Sequence, residues 1–189
     1  SPRPVAALSD RVTSLTEETL DGLSGKEGPI DLLNDYARRI PMQVIADMVG
    51  VSSSEAKEFG NIMGTLTQGL TGMRMIRTLF WDLRSAQRFV RDLIHRKRGE
   101  PGDDILSELI GAEHEGQRLN EDELVAMVFL LMIGGFETTL HLITNGTRAL
   151  IEHPDQLERL RANPDLWGSG VEEIVRYRGP IHGTKLQYA

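Results

Sequence analysis

Cysteine is absent from the 189 residues, which excludes disulfides and cysteine-based nucleophilic catalysis within them. No uninterrupted apolar run approaches about 18 residues and no secretory leader pattern is present. Neither a membrane span nor secretion is therefore expected, and a cytoplasmic location is. An excess of positive charge is lacking too. The net charge of −7 argues against nucleic acid as the main partner. A phosphate-cradling loop is missing, and no repeat of about 20–50 residues is evident. What is there is an ordinary globular composition, 40% apolar and 26% charged, in a chain long enough for one domain with a real core.

The stretch from Leu119 to His153 organises the rest. Asn120 is suited to cap a helix with Glu123 three residues on, and Leu119 and Leu124 take the flanking staple positions. Pro154 ends it and biases His153 away from helical geometry. The roughly 33 residues between them would span about 50 Å as one helix. From Leu124 to Ile133 nearly every residue is apolar, the pattern of a helix surrounded by protein. Gly134 and Gly135 then cost about 1 kcal/mol each relative to alanine. Such a pair predicts a kink, a widened turn or a neighbour packed hard on the backbone. Glu137 is costly to bury unpaired, and Thr138 is placed to bond back to the Gly134 carbonyl. A tight helix crossing with Glu137 facing solvent accounts for the same residues equally well.

A second motif, Val171-Glu172-Glu173-Ile174-Val175-Arg176-Tyr177, sets Glu173 and Arg176 at i,i+3 on one helix face. The series Gly134-Gly135-Phe136-Glu137-Thr138-Thr139, then His153-Pro154-Asp155-Gln156-Leu157, then this motif, resembles the cytochrome P450 superfamily in order and spacing. The likeness is to its soluble bacterial branch. It implies a mainly α fold built from the central helices of a P450, with a long kinked central helix and a short C-terminal strand over Ile181 to Ala189. It also implies that residues 1–189 form a single partial domain, truncated at both ends. The cysteine loop that ligates haem iron in the family would then be missing, and the chain alone is expected to be inactive.

The same resemblance implies a haem-thiolate monooxygenase, using dioxygen to hydroxylate or epoxidise a small hydrophobic substrate. Haem b would be the cofactor, and a ferredoxin or flavoprotein the electron donor. Thr138 and Glu137 would be catalytic, Thr138 holding the oxygen and Glu137 feeding protons through ordered water. Gly134, Gly135 and Thr138 would meet the cofactor; Leu130, Ile133 and Gly134 would touch substrate. Phe136 reads as core, Thr139 as a packing hydroxyl, and Glu173 with Arg176 as structural. Gln187 stands where the family often carries a propionate-binding arginine, leaving His182 or Lys185 as substitutes. Two readings outside this activity fit parts of the chain: a helical ligand-binding bundle, and a catalytically silent P450-like scaffold.

Elsewhere the chain reads as helix after helix. Val5, Leu8, Val12, Leu15 and Leu20 keep helical spacing up to Gly22 and Gly25. Residues 30–50 predict a helix kinked or divided at Pro41 and closed by Gly50. Ser52 to Glu55 opens a helix running to Leu66, and Met73 to Arg98 forms a basic helix whose charges read as a solvated face. In the family this pair lids the substrate pocket. Met63, Leu66, Leu70 and Met73 are then pocket candidates, with core as the plainer reading. Asp103 or Asp104 caps a short helix to Ile110, and Ser169 with Glu172 predicts a capping box on the last helix. His141, four residues after Glu137, has a zinc-chelating spacing, but no second pair completes a site and it reads as incidental.

Overall fold

Helix α1 (Pro2–Ser24) leads through a π-helical turn (Leu32–Ala37) into α2 (Arg39–Val49) and α3 (Ala56–Gln68). Next come α4 (Leu83–Gly99), α5 (Ile105–Ala112) and the long α6 (Glu121–Glu152). Helix α7 (Pro154–Ala162), a 3-10 turn (Pro164–Leu166) and α8 (Trp167–Arg178) complete the order. The computed structural model describes residues 2–52, 54–68, 83–112 and 119–181, and among these no strand occurs. The mainly α class is as expected. The strand expected at the C-terminal end lies outside the described residues from position 182 onward, as do Leu70 and Met73.

Helix α6 begins as its sequence dictates. Asn120 accepts from the Glu123 N–H at 3.0 Å, and the Asn120 N–H donates to the Glu123 carboxylate at 2.8 Å. Its apolar residues Leu124, Val128, Met132 and Phe136 are fully buried, together with Val49 of α2, Phe59 and Met63 of α3, and Val90, Leu93 and Ile94 of α4. The Phe59 and Phe89 rings meet at 6.2 Å between centroids, tying α3 to α4. Each large apolar side chain so buried contributes about 1.5–3 kcal/mol. Met63 is thus core rather than pocket. An 18-residue window of α6 reaches a mean hydropathy of 1.7, enough by length and composition alone to cross a membrane. That qualifies the expectation of no long apolar run. The same apolarity suits a helix packed on several neighbours.

Several boundaries differ from the sequence reading. The division in residues 30–50 falls at Arg38, between the π-helical turn and α2, while Pro41 sits in the first turn of α2. A proline is tolerated there because the first-turn N–H groups lack helical partners anyway. Helix α8 starts at Trp167, and Ser169 lies within it, donating to the Leu166 carbonyl at 3.0 Å instead of forming a capping box with Glu172. The basic end of α4 is not simply solvated. Arg91 pairs with Glu121 and Asp122 at 2.5 Å each, Arg98 with Glu121 at 3.4 Å, and Arg96 with Glu55.

One ion pair holds three elements together. Lys97 of α4 meets Asp104 at 2.5 Å, and only 4% of the Asp104 side chain is exposed. Asp104 also accepts from the Ser107 N–H at 2.8 Å, capping α5. Gly50 closes α2 in the left-handed region at φ +69, and a Cβ there would run into the Lys97 and Asp104 side-chain ends. Removing Asp104 leaves the mostly buried Lys97 charge unpaired and α5 uncapped, so Asp104→Ala is expected to cost about 3–5 kcal/mol. Urea unfolding of the variant checks this. Glu55 supplies a pH dependence. Burial pushes its carboxyl up, and Arg96 with the Ser52 hydroxyl and N–H outweighs that and holds it below the usual range. A depressed folded value stabilises above the unfolded one, near about 4.3, and the gain is lost as pH falls through the folded value. Below about pH 4.5 the native chain is therefore expected to lose melting temperature more steeply than Glu55→Gln.

Candidate active site on the central helix

Gly134 and Gly135 face different surroundings. A Cβ at Gly135 would collide with Cδ1 of Ile45, buried in α2, whereas a Cβ at Gly134 would enter open space. Close packing on the backbone, one of the three outcomes expected for the glycine pair, occurs at Gly135. The helical assignment runs unbroken through both residues. Gly135 is therefore packed against α2, and it borders the same cleft between α1, α2 and α6 as Leu130 and Gly134.

The open face carries the other expected site residues. Leu130 is 67% exposed and Ile133 42% exposed, although both are large and apolar. The expectation of a helix surrounded by protein thus holds for one side of α6 only, among the described residues. Toward the C-terminus the same line reaches Glu137, half-exposed, with its Oε1 at 3.8 Å from Nε2 of His141. The Thr138 hydroxyl donates back to the Gly134 carbonyl one turn earlier, as expected. Its proton is thereby committed and its oxygen lone pairs stay available as acceptors. Phe136 is fully buried, as expected for core. Thr139 is exposed rather than packed, and lines a cleft of about 610 Å³ between α1, α2 and α6 that Leu130 and Gly134 also border.

Glu173 and Arg176 form the expected pair, bidentate at 2.7 and 2.5 Å, with both side chains more than half exposed. The Arg176 guanidinium holds the Glu173 carboxyl below the usual carboxylate range. A groove of about 500 Å³ lies beside it, floored by Leu160 and Ile174 and edged by His153 and Tyr177, whose rings meet edge to face at 5.9 Å. Among the described residues no cluster of three His, Asp or Glu side chains is arranged to hold a metal ion. His182 and Lys185 lie outside the described residues.

A profile of the cytochrome P450 family matches residues 74–167. Cytochrome P450 CYP107DY1 of Priestia megaterium is 35% identical over 181 residues, covering 96% of this chain and 44% of its own length. The vitamin D(3) 25-hydroxylase of Pseudonocardia autotrophica is 36% identical over 187 residues, covering 98% and 45%. The crystal structure of cytochrome P450 MoxA from Nonomuraea recticatena superposes with a TM-score of 0.81 at 30% identity, covering 94% of this chain and 43% of that one. The chain belongs to the cytochrome P450 family. It spans about 44–45% of the length of these curated P450 relatives.

The P450 profile takes in all of α6, and so the whole line from Leu130 to His141. Two residues that matter to the geometry were not singled out from sequence for what they do: Ile45, which lies against Gly135, and His141, which lies beside Glu137. The signal for Ile45 was only its apolar spacing in α2. His141 shows in the sequence as an i,i+4 partner of Glu137, a spacing that equally suits zinc chelation. The two glycines give a stability test. Gly134→Ala is expected to gain about 0.5–1 kcal/mol from helix propensity, since nothing opposes its Cβ. Gly135→Ala must shift the terminal methyl of Ile45, which offsets part or all of that gain. Melting temperatures of the two variants should fall in the order Gly134→Ala above Gly135→Ala.

Proposed function

We propose that these residues form the oxygen-side wall of a haem-thiolate monooxygenase that inserts one atom of dioxygen into a small hydrophobic substrate. The observation that carries it is the open face of α6, where exposed Leu130 and Ile133 and the bare backbone of Gly134 lead directly to Glu137 and Thr138. A flat macrocycle needs such a face: apolar on the flank, with no side chain at the point of closest approach. The residues fit that group on this side. They hold no cysteine, so a thiolate ligand is not among them. Haem bound there would supply reductive activation of dioxygen.

Gly134 and Thr138 would adjoin the haem, and His182 or Lys185 would take a propionate. Leu130 and Ile133 would meet the substrate, favouring an apolar one by contact and by exclusion of water. The Thr138 hydroxyl donates its hydrogen bond to the Gly134 carbonyl. Toward the open face its oxygen then accepts, and so orients a proton-bearing water. Glu137 is half-exposed and can exchange protons with solvent while lying next to Thr138 in sequence, which suits a general acid. Glu173 and Arg176 are structural, stiffening α8 by an i,i+3 pair. A ferredoxin or flavoprotein would deliver electrons, in the cytoplasm, and the 189 residues would be one part of a single P450 domain.

The reduced, carbon-monoxide difference spectrum of the longest gene product containing these residues tests the reading. A Soret band at the haem-thiolate position is expected, and in that protein Glu137→Gln should slow turnover by about 10²-fold. Thr138→Ala should divert electrons to hydrogen peroxide. A histidine-ligated spectrum would mean a different axial ligand, and no haem at all would favour a catalytically silent scaffold.

A further inference from the structure

The polar side of α6 does not stop at Glu137. Residues at spacings of three and four continue the same line through His141, Asn145, Arg148 and Glu152. His141 Nε2 lies 3.8 Å from Glu137 Oε1, with 47% of its side chain exposed. Asn145 donates to the Arg178 carbonyl of α8 at 3.4 Å, and Glu152 pairs with Arg148 at 2.7 Å and with Arg178 at 2.9 Å. The line therefore runs from the open apolar face to the solvent-facing end of the helix. His141 is its titratable member next to the acid.

We propose that His141 serves Glu137 as a proton relay, a positioning residue that receives protons from solvent and hands them to the Glu137 carboxylate. The inference rests on Glu137 being the acid of the reaction proposed above. Histidine is the side chain suited to both accept and release a proton near neutral pH. The transfer balances simply. The Nε2–H of the imidazolium passes its proton to Glu137 Oε1, leaving a neutral imidazole and a carboxylic acid, and the ring takes a new proton from water. The 3.8 Å separation closes to hydrogen-bond reach by rotation of two half-exposed side chains, or is spanned by one water. An i,i+4 order with the acid nearer the helix N-terminus is the favourable one for this pair. Other charges on the line are Arg148 and Glu152 on α6 and Arg178 on α8. Among the described residues no charged side chain of α2, α3, α4 or α8 lies within ion-pairing distance of His141.

The test is a double-mutant cycle in the longest gene product containing these residues, with His141→Asn, Glu137→Gln and the double variant. Product formed per electron consumed should fall about 3–10-fold in His141→Asn, less than loss of the acid itself costs, and its pH profile should flatten between pH 5.5 and 8.5. In the Glu137→Gln background the same change should do nothing further. Melting temperatures give a readout independent of turnover. In low salt at pH 5.5 the cycle should be non-additive by about 1 °C, and at pH 8.5 additive. An equal loss of product in both backgrounds, or an additive melting cycle at both pH values, overturns the relay. A thiolate Soret band with an additive cycle overturns the relay alone. Absence of that band overturns the active-site reading and the relay with it.

Discussion

Ile45 against the bare backbone of Gly135 is the contact on which the arrangement turns. A long helix can rotate about its axis until its largest apolar stripe is covered, and here that stripe alone does not decide, because Leu130 and Ile133 are as apolar as the buried residues. A glycine admits a neighbour closer than any other residue. Gly135 lets the end of Ile45 reach the α6 backbone, which seats this flank of α6 against α2. Gly134 lies one residue earlier, about 100° around the helix, so the same rotation leaves it facing open space. The site's geometry is thus tied to a packing contact on the adjoining flank.

Charges fix the ends of that helix as the contact fixes its rotation. At the N-terminus Glu121 and Asp122 complement the partial positive charge of the unpaired N–H groups and also receive Arg91. At the C-terminus Glu152 would oppose the partial negative charge of the last carbonyls, and Arg148 and Arg178 offset it on both sides. Arg148 in first place and Arg178 after it hold the Glu152 carboxyl below its usual range, as Arg91 foremost does for Glu121. These pairs are exposed and each stabilises little. Their effect is on position: α4 is tied to the start of α6 and α8 to its end.

Much of this was legible from residue order. Asn120 with Glu123, Pro154 after His153, and Thr138 four residues after Gly134 are local signals, and local geometry is what a sequence encodes most directly. The open face was not legible in the same way. Leu130 and Ile133 sit in a run that is apolar all round, and periodicity cannot say which side of such a helix is covered. The role of Ile45 was hidden because it depends on a contact across 90 positions of sequence, which no local pattern announces. The arginines of α4 looked like a solvated face since Glu55 and Glu121, their partners, come from segments far away in the chain.

The boundary at Glu137 has a physical logic that joins these strands. An acid in the apolar half of α6, among residues such as Val128 or Met132, would have to be neutralised or paired to be tolerated. An acid near the C-terminal end would be fully hydrated and too far from the open apolar face to act on anything bound there. Glu137 falls between, half-exposed, one turn beyond Ile133 and beside a threonine whose proton is already spent on the Gly134 carbonyl. A carboxyl at that junction keeps contact with water on one side and with an apolar surface on the other. On a helix such a carboxyl exists only where the apolar line gives way to the polar one.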